Sequence, residues 1–247
     1  MTSQPAPEPA GDPVAQPAAR VLVLGANGPS GRRTVQQGLD RGLRVDALTR
    51  HPQTFPIEHE RLTVVAGDAT DPGVVDAAVA PCDAVISVIG AAFTRQPVEV
   101  YSASARLVVA AMRRHGRRRL LVVTSSGVTP ISERRHTTLL ERLLTPVARS
   151  TFGRTVYDDM EKMEAIVSSS DLEWTIVRPP GLTDEPGTGY ATAETWIAGG
   201  YCARDDLATM LLDHLDDHRF VRQVAAVSTP HLRVNTLHTI QRELLKR

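Results

Sequence analysis

The residues best suited to chemistry stand at the start of the ordered-looking part of the chain. Gly25-Ala26-Asn27-Gly28-Pro29-Ser30-Gly31 follows the continuous apolar run Val21-Leu22-Val23-Leu24 and leads into a helical pattern. The spacing is GxxGxxG. Glycine is required where a chain turns tightly, where backbone approaches a pyrophosphate, and where helix packs on strand. Free N–H groups at the helix start then bind the anion. A glycine pattern alone is weak, but a buried strand before it and a helix after it are the context that implies a dinucleotide site. Contacts to the nucleotide are expected from Gly25, Asn27, Gly28, Pro29, Ser30 and Gly31.

The second chemical signal lies about 20 residues on, where a carboxylate would accept hydrogen bonds from an adenosine-ribose 2′-hydroxyl. The sequence has Leu48-Thr49-Arg50-His51 there. Arg50 can pair with a 2′-phosphate and Thr49 can donate to it. The nearest acid, Asp46, falls inside the strand. The expected cofactor is therefore NADP(H). Further contacts are expected from Asp68 and Ala69, with Asp68 either meeting the adenine amino group or capping the next turn. Ile89 and Gly90 offer small residues for a close ribose. Thr124-Ser125-Ser126 carries hydroxyls that can face a nicotinamide and a substrate carbonyl, or bond loop backbone. Pro179 and Gly181 lie where backbone can border the carboxamide.

These groups need a scaffold that gathers them. Residues 1–19 carry Pro5, Pro7, Pro9, Pro13 and Pro17 and read as a disordered or polyproline II tail. Order is expected from Arg20, with one folded domain over 20–247. Strands are expected at 21–24, 44–48, 62–66, 84–89, 119–123, 174–177 and 224–227. Helices are expected at 31–39, after Asp71-Pro72, at 100–114, 157–168 and 205–215. Alternation of β and α at this rhythm predicts an α/β fold, a Rossmann-type doubly wound parallel sheet. Right-handed crossovers then bring every strand's C-terminal end, and with it every candidate residue, to one rim.

The ordered series GANGPSG, LTR, GDATD, ISVIG, VTSSG, WTIVRPPGLT and ARDDLA resembles the atypical short-chain dehydrogenase/reductases with an NAD(P)H-binding domain. It is most similar to the NmrA-like proteins and the biliverdin-IX-beta/flavin reductases, over about residues 20 to 228. The stretch from Asp158-Asp159 to Thr188-Gly189-Tyr190 is especially like the flavin reductases. The resemblance implies NADPH bound at the first turn and at Arg50, and a substrate pocket built after strands five and six. Ser125 matches the family's active-site serine position, and the proton for a reduced substrate is expected from Tyr157, from water or from the substrate itself. Two departures stand out. The Tyr-x-x-x-Lys pair of the better-known branch is missing, since Lys162 is five residues past Tyr157 and off its helical face. Met160 also stands where the flavin reductases carry histidine.

Composition narrows the classes further. The 247 residues have zero formal net charge, so no whole-molecule field draws nucleic acid or anionic membrane. No apolar run approaches the ~20 residues that span a bilayer. The start of the sequence lacks the basic and apolar regions of a signal peptide. Cys82 and Cys202 read as buried small hydrophobes in a reducing compartment, and the expected location is cytoplasmic. Arginine-rich, lysine-poor, alanine-rich usage hints at a bacterial source. The run Arg113 to Arg119 reads as a helix end rather than a nucleic-acid patch. His214 and His218 read as decoration of an exposed helix end, with no metal site. Residues 184–200 read as a loop over the substrate mouth, in which Tyr190 and Trp196 either stack on a flat substrate or pack on the core. The expected partner is a small molecule, and monomer and homodimer stay open. The expected activity is NADPH-dependent reduction of a small conjugated or cyclic carbonyl or flavin-like substrate. A non-catalytic NADP(H) sensor and an epimerase or isomerase with retained nicotinamide are the rivals.

Overall fold

A computed structural model describes residues 19–94, 96–129, 154–197, 200–230 and 232. The proposed tail lies outside the described residues except for Ala19. Ten strands form in order: β1 (Arg20–Leu24), β2 (Arg44–Thr49), β3 (Leu62–Ala66), β4 (Ala84–Ser87), β5 (Arg119–Val123), β6 (Glu173–Arg178), β7 (Gly181–Thr183), β8 (Ala191–Glu194), β9 (Tyr201–Ala203) and β10 (Gln223–Ser228). Among them lie α1 (Pro29–Asp40), α2 (Pro72–Val79), α3 (Val100–Arg114), α4 (Arg154–Ser168) and α5 (Arg204–Asp213).

Eight strands make one sheet in the order β3-β2-β1-β4-β5-β6-β10-β8. All neighbours are parallel except β8, which runs antiparallel to β10. The order reverses at β1, between β2 and β4, which is the crevice where open α/β sheets bind ligands. The expected Rossmann-type sheet is the one observed.

The alternation of β1 explains its unbroken apolar run. Leu22 and Leu24 enter the core shared with α2, α3 and α4, while Val21 and Val23 enter the opposite core with α1 and α5. A strand covered on both faces needs apolar residues at every position. Asp71 caps α2 as the sequence suggests, accepting from the Gly73 and Val74 amides with Pro72 at the first helical position.

Two expectations fail. Residues 184–200 are not simply a loop, because Ala191–Glu194 pairs with β10 as an edge strand. Gly181–Thr183 and Tyr201–Ala203 form a second, two-stranded parallel sheet. His214 does not decorate an exposed end: it is fully buried, its ring stacked on Phe220 at 5.4 Å. Its Nδ1 lies 2.9 Å from the Met210 carbonyl, and its own carbonyl accepts the buried Arg119 guanidinium. A helix end tucked under β5 turns a polar-looking position into core.

The basic run is internally neutralised. Arg113 pairs with Asp171, Arg114 and His115 with Asp76, Arg117 with Asp83, and Arg118 with Glu173. Arg119 also donates to the Glu173 carbonyl and the Thr175 hydroxyl, and burial lowers its guanidinium pKa to about 10. Cys82 and Cys202 are free and buried as expected, and desolvation pushes both thiols up to about 12. Among the described residues no helix is long and apolar enough to cross a membrane, and no His/Cys/Asp/Glu group could hold a metal.

Candidate active site

The glycine turn lies in the crevice between the ends of β1 and β4. Gly25 has φ +76°, and a Cβ there would stand 2.8 Å from the Val88 carbonyl oxygen. A Cβ on Gly31 would lie 2.2 Å from the Gly25 carbonyl oxygen. Both positions therefore require glycine, one for its backbone angle and one for helix–strand approach. Gly28 is the N-cap of α1 and brings no side chain to it, Pro29 occupies the first turn, and no acid follows in that turn. The Ser30 and Gly31 amides are thus left for an external anion, the donor set a dinucleotide pyrophosphate needs.

At the ribose end Asp46 is removed from contention. Its carboxylate is buried and held by Arg20 through two bonds of 3.0 and 2.9 Å. Arg50 is exposed at the end of β2. Thr49 is buried, and its hydroxyl accepts the His51 amide at 3.1 Å. Asp68 accepts the Thr70 amide and hydroxyl at 2.8 and 2.7 Å. The Thr70 hydroxyl chiefly, its amide next, and then the charge of Arg50 hold the Asp68 carboxyl below the usual range. Asp68 thus caps the turn that follows β3, one of the two roles expected of it, and Asp71 caps α2. Ala69 packs against the core beside α2.

Along the rest of the rim, Ile89 backs Gly25, while Gly90 has open space where a side chain would stand. Ser125 ends β5, and its Oγ accepts the Gly127 amide at 3.1 Å, which opens a single 3-10 turn at Ser126–Val128. Tyr157 on α4 lies flat against that turn: a Cβ on Gly127 would be 2.4 Å from Tyr157 Cε1 and 3.0 Å from its hydroxyl. The fold therefore brings Ser125 and Tyr157 to the same turn, each against Gly127. Phe93, the most exposed large apolar side chain described, has its ring centroid 6.0 Å from that of Tyr157. The Pro179 carbonyl accepts the Ser126 amide at 2.8 Å, and Gly181 opens β7 against Tyr201.

Residues 25–218, most of the chain, match the family model described as NAD(P)H-binding. This chain belongs to the NAD(P)H-binding family. A relative from Bacillus subtilis described as an uncharacterized sugar epimerase, YhfK, is 26% identical over 80% of this chain and 88% of its own. Among solved structures, the anaerobillin reductase ChuY of Escherichia coli O157:H7 is 24% identical, with a TM-score of 0.67 over 87% of this chain and all of its own. A short-chain dehydrogenase/reductase of Veillonella parvula, solved in complex with NADP, is 21% identical, with a TM-score of 0.70 over 86% and 95%. At these identities the structures speak for the fold. The atypical short-chain reductase resemblance drawn from the motif order agrees with all of them.

Within this NAD(P)H-binding chain, one hydroxyl differs from the sequence expectation. The Thr124 hydroxyl does not face the rim, because it donates inward to Glu164 at 2.7 Å. Glu164 also pairs with Arg178 through bonds of 3.0 and 2.5 Å, with both side chains about nine-tenths buried. Arg178 reaches Thr129 at 3.4 Å, so one buried ion pair ties β5, α4, β6 and the turn carrying Ser125. Tyr190 takes the second of its two expected places, packed on the core: its hydroxyl donates to Asp213 at 2.6 Å, and its neighbours Thr188 and Gly189 donate to buried Asp206. The missed residues had a signal. On α4 the buried stripe is Val156, Met160, Met163 and Val167, and Asp159 and Glu164 fall on that same face by helical spacing. Asp159 serves there as a tertiary cap, accepting the Tyr101 and Ser102 amides at the start of α3.

Burial, and then the Asp213 carboxylate, raise the Tyr190 phenol to about 12. The folded value lies above the ordinary ~10, so this stabilisation is present below pH ~10 and lost as pH climbs through about 12. Urea unfolding midpoints measured across that window should fall more steeply for the unaltered chain than for Tyr190→Phe. Parallel slopes would remove the assignment.

Proposed function

We propose that this chain is an NADPH-dependent reductase of a small, flat substrate of conjugated or cyclic carbonyl type, flavins included. The observation that carries the reading is that Ser125 and Tyr157 both lie against Gly127 in the turn after β5, with the exposed ring of Phe93 beside Tyr157. Two hydroxyls at one edge of an apolar face suit a planar molecule with a carbonyl oxygen. Nicotinamide, when bound, supplies the hydride, and the chain's own residues bind and orient the two reactants. Ser125 Oγ accepts from its own turn, which leaves its proton to donate to a substrate oxygen. Tyr157 is the candidate proton donor. The NADP(H) preference is supported by Arg50 in place of an acid and by the engagement of Asp46 with Arg20. Two buried free thiols fit a reducing, cytoplasmic setting.

NADPH oxidation should be followed at its absorbance band with flavins, quinones and cyclic enones. Turnover is expected with at least one of them. Tyr157→Phe should lower kcat by about 100-fold, the lower end of a general acid's contribution, and leave KM nearly unchanged. Tight NADPH binding without turnover of any acceptor would count against the reading. A non-catalytic NADP(H) sensor would then be favoured, for which Met160, buried in the core, and Lys162, exposed and off the Tyr157 face, speak directly. Product formed without added NADPH, from cofactor retained through purification, would instead point to an epimerase or isomerase.

A further inference from the structure

We propose that Arg32 is a second guanidinium for the adenosine-ribose 2′-phosphate and, with Arg50, sets the preference for NADP(H). The proposal rests on the NADP(H) reading above. Arg32 is the fourth residue of α1, and side chains there lean back toward the helix N-terminus. Its Nε and Nη2 both donate to Asn27 Oδ1 in the glycine turn, at 3.0 and 2.8 Å. Asn27 Nδ2 in turn donates to the Thr54 hydroxyl at 3.1 Å and reaches the His51 carbonyl at 3.5 Å. The Thr54 hydroxyl closes the set by donating to the same carbonyl at 3.1 Å. His51 directly follows Arg50. One amide side chain therefore fixes the Arg32 guanidinium on the flank of the phosphate turn that faces the end of β2.

The charge balance singles out Arg32. An amide oxygen is neutral, so it orients the guanidinium without cancelling its charge. The other arginines of the same helix region are neutralised: Arg33 faces Asp205 at 3.2 Å and Asp184 at 3.8 Å, and Arg41 pairs with Asp213 at 2.8 Å. Among the described residues Arg32 has no carboxylate within ion-pair distance. Arg50 shares its field with Asp68, whose carboxyl it helps to keep ionised. Arg50 alone offers one positive charge to a dianionic phosphate, and Arg32 supplies a second. A purely structural clamp would make a poor use of an exposed guanidinium, since exposed bonds of this kind add little to stability.

Adenosine 2′,5′-bisphosphate and 5′-AMP differ only by the 2′-phosphate, and calorimetric titration of both separates the possibilities. Arg32→Ala should lose tenfold or more in affinity for the bisphosphate, the scale of one charge-assisted hydrogen bond, while 5′-AMP stays within about twofold. Arg32→Lys, which keeps the charge without the two-nitrogen clamp, should fall between. Asn27→Ala, which frees the guanidinium, should lose less than Arg32→Ala. Thermal unfolding of each variant should match the unaltered chain. An equal loss for both nucleotides would assign Arg32 elsewhere, and no loss for either would overturn the proposal. If the unaltered chain fails to prefer the bisphosphate over 5′-AMP, the NADP(H) reading itself falls. If it keeps that preference and Arg32→Ala does too, only the role of Arg32 falls.

Discussion

Gly31→Ala should weaken NADPH binding by about 100-fold or more, equivalent to ~2.7 kcal/mol, while Gly28→Ala changes it only slightly. The contrast comes from the space each Cβ would enter. At Gly31 the new atom would stand 2.2 Å from the Gly25 carbonyl oxygen and 2.7 Å from Ala26 backbone, none of it a flexible side chain. The turn must move, and with it the Ser30 and Gly31 amides that a pyrophosphate would use. Rebuilding a packed backbone contact costs roughly 1–3 kcal/mol or more in stability as well. At Gly28 the nearest atom would be 3.3 Å away and the backbone angle, φ −72°, suits any residue. Gly90→Ala completes the set, because nothing in the protein lies within 4 Å of its Cβ position. A loss of affinity in that variant would report the nucleotide itself rather than a disturbed fold. Fluorescence titration with NADPH, paired with thermal unfolding, distinguishes the three. Unchanged affinity in Gly31→Ala would dismiss the turn as the pyrophosphate site.

The central sheet was legible because its signals are local and redundant. A strand buried on both faces must be apolar at each position, a glycine-rich turn must follow it, and Asp71-Pro72 must open a helix. Each of these is read from neighbouring residues. β7, β8 and β9 were not legible in this way. Each has three or four residues, and β8, Ala191-Thr192-Ala193-Glu194, owes its form to pairing with β10, some thirty residues later. Nothing local in that segment distinguishes an edge strand from a loop. His214 misled for a related reason: polar residues at a helix end are usually exposed, and here Phe220, Tyr190 and Arg119, all distant in sequence or beyond the helix, surround it.

The site divides along the same line. The need for glycine at Gly25 and Gly31 follows from the motif because the motif is a statement about backbone. Side-chain direction is another matter. Thr124 and Ser125 adjoin in sequence, yet one hydroxyl points inward to Glu164 and the other stays with the rim turn. Both follow β5, and what separates them is the 3-10 turn that begins after Ser125 and takes its hydroxyl as a cap. Arg32 was passed over because its importance lies in what it touches, Asn27, rather than in the motif. The same holds for Glu164 and Arg178, which are distant in sequence from the serine they support.

Glu164→Ala should therefore be the most destabilising single change at the site, by about 3–5 kcal/mol in urea unfolding, because it strands the buried Arg178 charge. The magnitude follows from burial: both side chains are about nine-tenths covered, so solvent cannot take over for the missing partner. Arg178→Met should cost a similar amount by stranding the carboxylate. The double variant Glu164→Gln with Arg178→Met should recover most of the loss, since it removes both charges and retains an oxygen to accept from Thr124. Such recovery is the signature of a pair whose desolvation cost nearly offsets its attraction. Its value would then lie in position rather than stability. Glu164 and Arg178 join Thr124, at the end of β5, to Thr129, just past the turn that carries Ser125. If the proposed reading holds, the recovered double variant should keep NADPH affinity and lose kcat through loosening of the turn that carries Ser125. A Glu164→Ala variant that unfolds within about 1 kcal/mol of the unaltered chain would show that the pair is not buried in solution. A double variant with full kcat would show that it does not position the serine.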